Sequence, residues 1–243
     1  MDMVLTDDEN MLRDAAKGFL ETSAPIAQLR RLRDEASTDG FDRDTWNAMV
    51  EMGWAGVLVS ERHGGAAMGY GAAGIIAEEM GRTLTASPWL STAVMGATAI
   101  GEFGSTQQQD HWLPRIASGE AITAIAVDEG RSHSPECVST AAEQSGEGFR
   151  LSGAKSFVAD GHVADVLLVS ARTAGNPGDP DGITLFLVPP DAAGVTVEYR
   201  SLLDSRFSAS AELVGVEVAA DAVVGEVDKG WGPLQSVLDA GRA

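Results

Sequence analysis

Two short patterns place residues at the spacing of known binding or catalytic motifs. The first, GYGAAG at 69–74, matches the G-x-G-x-x-G fingerprint of dinucleotide binding. That fingerprint works directly after a strand and with an acidic residue about 20 positions further on. Here a glycine-rich loop precedes the match, and no Asp or Glu lies between Glu79 and Glu102. We therefore predict that this stretch is a helix face of small residues that packs closely against a neighbour.

The second pattern, GRSHS at 130–134, departs from the G-x-S-x-G elbow of serine hydrolases at its last position, Ser134. Such an elbow needs a strand, a sharp turn and a helix on a mostly parallel sheet, whereas further predicted strands follow this loop. His133 and Cys137 lie four residues apart, but two ligands do not make a zinc site. The sequence therefore predicts no metal site, and a serine hydrolase stays only as a competing hypothesis.

Charge and composition exclude several classes of partner. The 243 residues carry a formal net charge of −19. Binding to nucleic acid or to an anionic membrane depends on cationic side chains, so this charge argues against both. A single cysteine excludes an intrachain disulfide. The N-terminal MDMVLTDDEN lacks the basic and apolar regions of a signal peptide, and no apolar run is long enough to span a membrane. These features predict a cytoplasmic protein.

The elements that must hold these residues change along the chain from helices to strands. Thr6 and Glu9 have the spacing of a capping box, and helical periodicity recurs up to about residue 118. Short β-rich runs separated by Gly, Pro and Asp then follow up to about residue 226. We predict an α+β fold with three parts. These are an N-terminal helical domain at 1–119, a middle β-barrel or sandwich domain at 120–228, and the first helix of a C-terminal helical-bundle domain at 229–243.

The last stretch, GPLQSVLDAGRA, has an apolar helix face made of Leu234, Val237 and Leu238. A helix of one or two turns is not stable alone, and no later helix is present to cover this face. We therefore expect the face to be bare or covered by another chain. The consequence would be an oligomer, or disorder after about residue 230.

Several segments, in order along the chain, together resemble a known family. They are SERHGGAAMGYGAAGIIAEEMGR, GFRLSGAKSFVADGHVADVLLVSAR, ITLFLVPPDAAGV, DSRFSASAELVGVEVAADAVVGEVDKGW and LDAGR. The family is that of the acyl-CoA dehydrogenases, flavoenzymes with a helical domain, a β-barrel-like domain and a C-terminal four-helix domain. The resemblance covers the whole chain and implies that only the first helix of the third domain is reached.

The resemblance implies the α,β-dehydrogenation of an acyl-CoA thioester, with FAD as the hydride acceptor. In the family a carboxylate removes the α proton, and the flavin carries the redox chemistry while the protein aligns the thioester. One of the two family positions for that carboxylate is Gly241, which has no side chain to act as a base. The other position lies beyond residue 243, so no catalytic residue is assigned.

The resemblance also implies a flavin site, with departures from the family pattern. The Thr-Glu-Pro-x-x-Gly-Ser-Asp loop of the family aligns with residues 128–135, and Asp128 replaces its threonine. In the second flavin-facing segment, Phe157 keeps a ring for stacking, whereas Ala159 lacks a hydroxyl. The implied cofactor-binding residues are Val127, Asp128, Glu129, Ser134, Phe157 and Ala159. The implied substrate-binding residues are Ser134, Asp239 and Arg242.

These departures favour an alternative, a non-catalytic subunit of a hetero-oligomeric acyl-CoA dehydrogenase that binds no flavin itself. Some members of the family pair an active subunit with a degenerate one. The implied partners are an acyl-CoA, a homo- or hetero-oligomer formed through the helical domains, a flavin-bearing subunit and an electron-transfer flavoprotein. Lys155 and Arg206 also match the family pattern, and we expect both to be structural.

Overall fold

Helices fill the first half of the chain. The computed structural model describes residues 4–35 and 37–242. The predicted capping box is confirmed, since the Thr6 side chain accepts from Glu9 N–H while the Glu9 carboxylate accepts from Thr6 N–H. Ser105 and Gln108 form a second one. The helices are α1 Asp7–Ser23, α2 Ile26–Asp34, α3 Arg43–Glu51, α4 Gly69–Thr83, a π-helix Leu90–Gly96 that continues as α5 Ala97–Phe103, and α6 Thr106–Ala117.

The second half forms one connected mixed sheet, followed by a final helix. Its strands are β1 Thr123–Ala126, β2 Ala141–Ser145, β3 Gly148–Ala159, β4 Val166–Arg172, β5 Ile183–Val188, β6 Val195–Ser201, β7 Phe207–Val218 and β8 Val223–Val224. The order is β6-β7-β3-β2-β4-β5-β8, and β1 lies parallel beside β4. Helix α7, Trp231–Arg242, comes last. The predicted fold class is confirmed, while the exact domain bounds stay a prediction.

Strand β4 lies between two hydrophobic cores, and every one of its residues is buried. Leu167, Val169 and Ala171 face a core shared with β3, β5 and β7. Val166 and Leu168 face a second core, to which α5, α6 and α7 contribute. Strands buried on both faces read as continuous apolar runs, which explains the sequence VLLVSA at this position.

The glycine-rich stretch at 69–74 is helical, as predicted, but its glycines are not the close contacts. Ala72 and Ala73 are buried in the core with α1. Gly71 and Gly74 are exposed, and a methyl group added at Gly74 would meet no atom within 4 Å. The prediction of a closely packed helix face of small residues is therefore confirmed, with the alanines rather than the glycines making the contact.

The expectation of an uncovered final helix is also wrong. Leu234 and Val237 have no exposure, and Leu238 is 8% exposed. They lie in one core with Ala97 and Ile100 of α5 and with residues of β4 and β5. The apolar face of α7 thus has its partners within the described chain, so it gives no ground for oligomerisation or fraying.

Among the residues that the structure describes, no helix is both long and apolar enough to cross a membrane. In the same part of the chain, no group of three or more His, Cys, Asp or Glu side chains could hold a metal ion.

Candidate functional site

A cavity of about 150 Å³ lies where the π-helix, β1, β3 and α7 meet. Four of the six predicted cofactor residues line it, namely Val127, Asp128, Phe157 and Ala159, whereas Glu129 and Ser134 do not. The complete lining consists of Ser91, Met95, Ile125, Val127, Asp128, His133, Phe157, Ala159 and Leu238. The sequence prediction and the geometry therefore converge on one place in the fold.

Phe157 reaches this cavity because β3 is irregular next to it. The register between β3 and β7 shifts between Lys155 and Val158, and such a bulge redirects the side chains on its strand. Phe157 has φ +52° and is 56% exposed. A bulky residue in the left-handed region costs free energy and is found where the surroundings enforce it. The strand thus presents an aromatic ring at the cavity instead of burying it.

Asp128 is held by backbone on one side and by its own loop on the other. Its carbonyl oxygen accepts a hydrogen bond of 2.7 Å from Ser156 N–H, which ties the end of β1 to β3. Its carboxylate accepts from Ser134 N–H at 3.1 Å and contacts His133 Nδ1 at 2.9 Å. The acid that replaces the family threonine is therefore already engaged within the loop.

Glu129 faces away from the cavity and supports the loop from beneath. Lys155 Nζ donates to Glu129 Oε1 at 2.7 Å, to Val127 O at 3.1 Å and to Ser170 Oγ at 3.0 Å. Burial lowers the pKa of Lys155 to about 8, against the attraction of Glu129. Burial acts to raise the pKa of Glu129, but the charge of Lys155 and the hydrogen bonds from Lys155 and Thr140 together hold this pKa below its usual value. Lys155 is structural, as expected.

The remainder of the loop is fixed by Arg172, at the end of β4. Its guanidinium is largely buried and donates to five carbonyl oxygens. These belong to Glu136, Val138, Ala174, Asp179 and Asp181. Because a buried charge needs all its donors satisfied, this side chain clamps the loop after Ser134 onto the sheet.

The mouth of the cavity is bridged by His133, which sequence analysis considered only as an insufficient zinc ligand. His133 Nε2 lies 2.8 Å from Arg242 Nη2 on α7, and Arg242 Nη1 donates to Asp239 at 3.1 Å. Asp239 and Arg242, which the resemblance implies as substrate-binding residues, thus contact each other, and their binding role stays a prediction. A series of contacts, Asp128–His133–Arg242–Asp239, links the loop to α7. The only sequence signal for the part played by His133 is its position inside the aligned loop.

This chain of contacts assigns the tautomer of His133. Arg242 offers only donors, so His133 Nε2 must accept. The imidazole proton then resides on Nδ1 and is donated to the Asp128 carboxylate. His133 is accordingly neutral in this arrangement, and its Nε2 lone pair points towards α7.

A second acid, Asp160, contacts the cavity wall through Ser91. The two side-chain oxygens are 2.6 Å apart, and Ser91 Oγ also lies 3.0 Å from Pro88 O. Ser91 Oγ–H is the donor in the contact with the Asp160 carboxylate. Burial raises the pKa of Asp160 to about 6, against the hydrogen bond from Ser91 and the charge of Arg206.

We expect Asp160→Asn to remove a pH-dependent loss of stability. The pKa is 3.8 when unperturbed and about 6 in the fold, so the folded state binds more protons between these values. Stability from this group therefore falls as the pH rises through that window. The melting temperature of the variant minus that of wild type should rise from about pH 4 to about pH 6 and then level off. Asp14→Asn, at an exposed aspartate, is the matched control, and a flat difference for Asp160→Asn would contradict the assignment.

Comparisons with known proteins agree with this architecture. The model described as "Acyl-CoA dehydrogenase, N-terminal domain" matches residues 6–120, and that described as "Acyl-CoA dehydrogenase, middle domain" matches residues 123–215. The chain belongs to the acyl-CoA dehydrogenase family, whose members generally depend on FAD.

Individual relatives give the same result. The mitochondrial long-chain specific acyl-CoA dehydrogenase of Sus scrofa is 31% identical over 207 residues, which are 82% of this chain and 48% of that protein. The ChsE4-ChsE5 complex from Mycobacterium tuberculosis contains a chain that is 27% identical with a TM-score of 0.84, over 96% of this chain and 61% of that one. An acyl-CoA dehydrogenase from Geobacillus kaustophilus is 27% identical with a TM-score of 0.85, and the match covers 100% of this chain and 64% of that one. The chain spans about half the length of the first curated relatives it matches.

The residues around the cavity do not fit a flavin in this arrangement. Phe157 offers a stacking surface, but Ala159 offers no hydroxyl and the Asp128 carboxylate is occupied by His133 and Ser134. A negatively charged group of a cofactor would be repelled by the Asp128 carboxylate, and this repulsion is strong at low dielectric.

Proposed function

We propose that this chain is part of an acyl-CoA dehydrogenase-like protein and that its cavity receives the acyl part of an acyl-CoA thioester. The supporting observation is the position of the cavity, between the two regions matched by the family and against α7, with Arg242 at its mouth. In the full family reaction, FAD accepts the hydride during α,β-dehydrogenation. The residues of this chain would bind and orient the thioester.

The wall and the mouth of the cavity suit different parts of such a ligand. Met95, Ile125, Val127, Phe157 and Leu238 give an apolar wall that would exclude water from an acyl chain. Arg242 and His133 supply polar groups at the mouth, where an oxygen of the ligand would be recognised. Gly241 lies against Met95 of the cavity wall, since a methyl group added there would meet Met95 Sδ at 2.9 Å. The family position for a carboxylate base is therefore beside the cavity and bears no side chain.

A calorimetric titration with butyryl-CoA, octanoyl-CoA and palmitoyl-CoA tests the proposal. We expect saturable binding of at least one of the three and no comparable binding of free CoA. Arg242→Ala should weaken the binding, whereas Arg13→Ala, at a partly exposed arginine of α1 far from the cavity lining, should leave it unchanged. Failure of all three thioesters to bind would contradict the proposal.

A second candidate function is favoured by Asp128, Ala159 and Gly241. All three depart from the family pattern at positions implied for flavin binding or proton abstraction. We propose as the alternative a subunit that binds no flavin itself and completes the site of a flavin-bearing partner. An electron-transfer flavoprotein would accept the electrons from that partner. A precedent for pairing is the ChsE4-ChsE5 complex, whose name joins two components and which contains a chain similar to this one.

The visible absorption spectrum separates the two candidates. We expect the purified chain to lack a full flavin band, and we expect the double variant Asp128→Thr, Ala159→Thr to gain flavin when the partner is present. Each restored neutral hydrogen bond contributes about 1 kcal/mol, so two correspond to about a 30-fold gain in affinity. Ala154→Thr, at an exposed position of β3 outside the cavity, is the control. Full flavin occupancy in the unmodified chain, with reduction by an acyl-CoA, would show that the subunit alternative is wrong.

A further inference from the structure

The cavity contains a hydrogen-bonded pair of titratable groups that the family pattern does not include. Asp128 is fixed by Ser134 N–H and by the anchoring of its carbonyl to Ser156, and its side chain is 17% exposed. It contacts His133 Nδ1 at 2.9 Å. Both residues line the cavity. A carboxylate that orients a neutral imidazole is the arrangement in which the other ring nitrogen acts as a general base.

A cation stands directly beside the basic nitrogen. Arg242 Nη2 is 2.8 Å from His133 Nε2, and its side chain is 54% exposed with a second contact to Asp239. The guanidinium is therefore free to turn towards Asp239 and solvent. A ligand oxygen that takes over one N–H of Arg242 would release the lone pair of His133. Base and oxygen-binding cation then lie within one hydrogen-bond length of each other, at the edge of an apolar cavity.

We propose that His133, oriented by Asp128, is the general base that removes a proton from the carbon α to the carbonyl of an acyl thioester, while Arg242 stabilises the enolate oxygen. The inference rests on the proposed function for its substrate class. The Cα–H bond breaks, its electron pair moves into the enolate, and the proton forms an N–H bond at Nε2. Return of a proton from Nε2 restores the thioester, so the exchange needs no redox cofactor.

The site accounts for three departures from the family pattern together. Gly241 carries no carboxylate, and His133, which contacts the neighbouring Arg242, supplies the base instead. Asp128 is out of place beside a flavin, but a carboxylate is what an imidazole base requires on its Nδ1 side. Ala159 leaves the wall apolar, and a weakly polar surrounding strengthens the attraction between an enolate and the guanidinium.

Hydrogen–deuterium exchange at the α carbon tests this inference. Butyryl-CoA is incubated with the purified chain in D₂O, and loss of the α-CH₂ signal is followed by proton NMR. We expect exchange above the buffer rate. It should fall by about 100-fold or more in His133→Gly, which is the scale of general-base catalysis, and fall similarly in Asp128→Asn. Added imidazole should restore exchange in His133→Gly, since a free base can occupy the vacated space. His111→Ala, at an exposed histidine of α6, should exchange like wild type.

The outcomes separate the base from the binding site. Exchange no faster than in buffer, with butyryl-CoA shown to bind by calorimetry, overturns the assignment of His133 and leaves the proposed function standing. Exchange that persists in His133→Gly also overturns it. Absence of butyryl-CoA binding removes the proposed function for this substrate and the inference with it. Loss in His133→Gly without rescue by imidazole assigns His133 a structural role and overturns its role as a base.

Discussion

Replacing Lys155 by methionine is expected to lower the free energy of unfolding by about 3–5 kcal/mol, the usual cost of removing one partner from a buried ion pair. The Lys155 side chain has no exposure and its ammonium contacts three oxygens. Methionine fills much of the same volume but leaves Glu129 without its cation. Urea unfolding at neutral pH, monitored by circular dichroism, gives the difference.

The control for this prediction is Lys229→Met. Lys229 is 65% exposed and lies 3.9 Å from an exposed Asp181, so its loss should change stability by no more than about 0.5 kcal/mol. The double variant Lys155→Met, Glu129→Gln should recover part of the loss, because no charge is then left buried. Equal effects of Lys155→Met and Lys229→Met would show that the buried pair does not hold the loop.

The order of elements could be predicted because its signals are local. Capping boxes, helical spacing and short β-rich runs are properties of neighbouring residues, and the structure places helices and strands accordingly. The apolar face of α7 was visible for the same reason. What covers that face was not, because Ala97 and Ile100 precede Leu234 by more than 130 positions, and no local pattern identifies such a partner.

The candidate site was predictable to the extent that it follows an ordered motif. Phe157 and Asp128 were placed by the aligned segments and do line the cavity. His133 was missed because its role depends on Arg242, which lies 109 residues further along the chain. Glu129 and Ser134 belong to the same aligned loop, but the loop turns them away from the cavity lining. Spacing alone does not reveal which way a loop residue points.

The π-helix is a further feature without a sequence signal. Residues 90–96, LSTAVMG, have ordinary helical composition, yet this segment contributes Ser91 and Met95 to the cavity. π-Helical turns are rare and concentrate at functional sites. Here the segment packs against β1, where Thr123 Oγ1 donates to Ser91 O at 3.0 Å and Thr123 N–H donates to Thr92 Oγ1 at 3.1 Å. The cause is tertiary, since these bonds offer partners outside the helix.

Gly96→Ala tests whether this close approach shapes the cavity. A methyl group at position 96 would overlap Thr123 Oγ1 and lie 3.1 Å from Ser91 O, so the π-helix and β1 must separate. Overpacking of this kind costs about 1–3 kcal/mol, and we expect urea unfolding to show such a loss. Gly101→Ala is the matched control, because nothing lies within 4 Å of its added methyl group and alanine favours a helix by up to about 1 kcal/mol. The shift of Ser91 and Met95 should also weaken acyl-CoA binding in Gly96→Ala and leave it unchanged in Gly101→Ala. If both variants gain stability and bind equally, contact between the π-helix and β1 does not set the shape of the cavity.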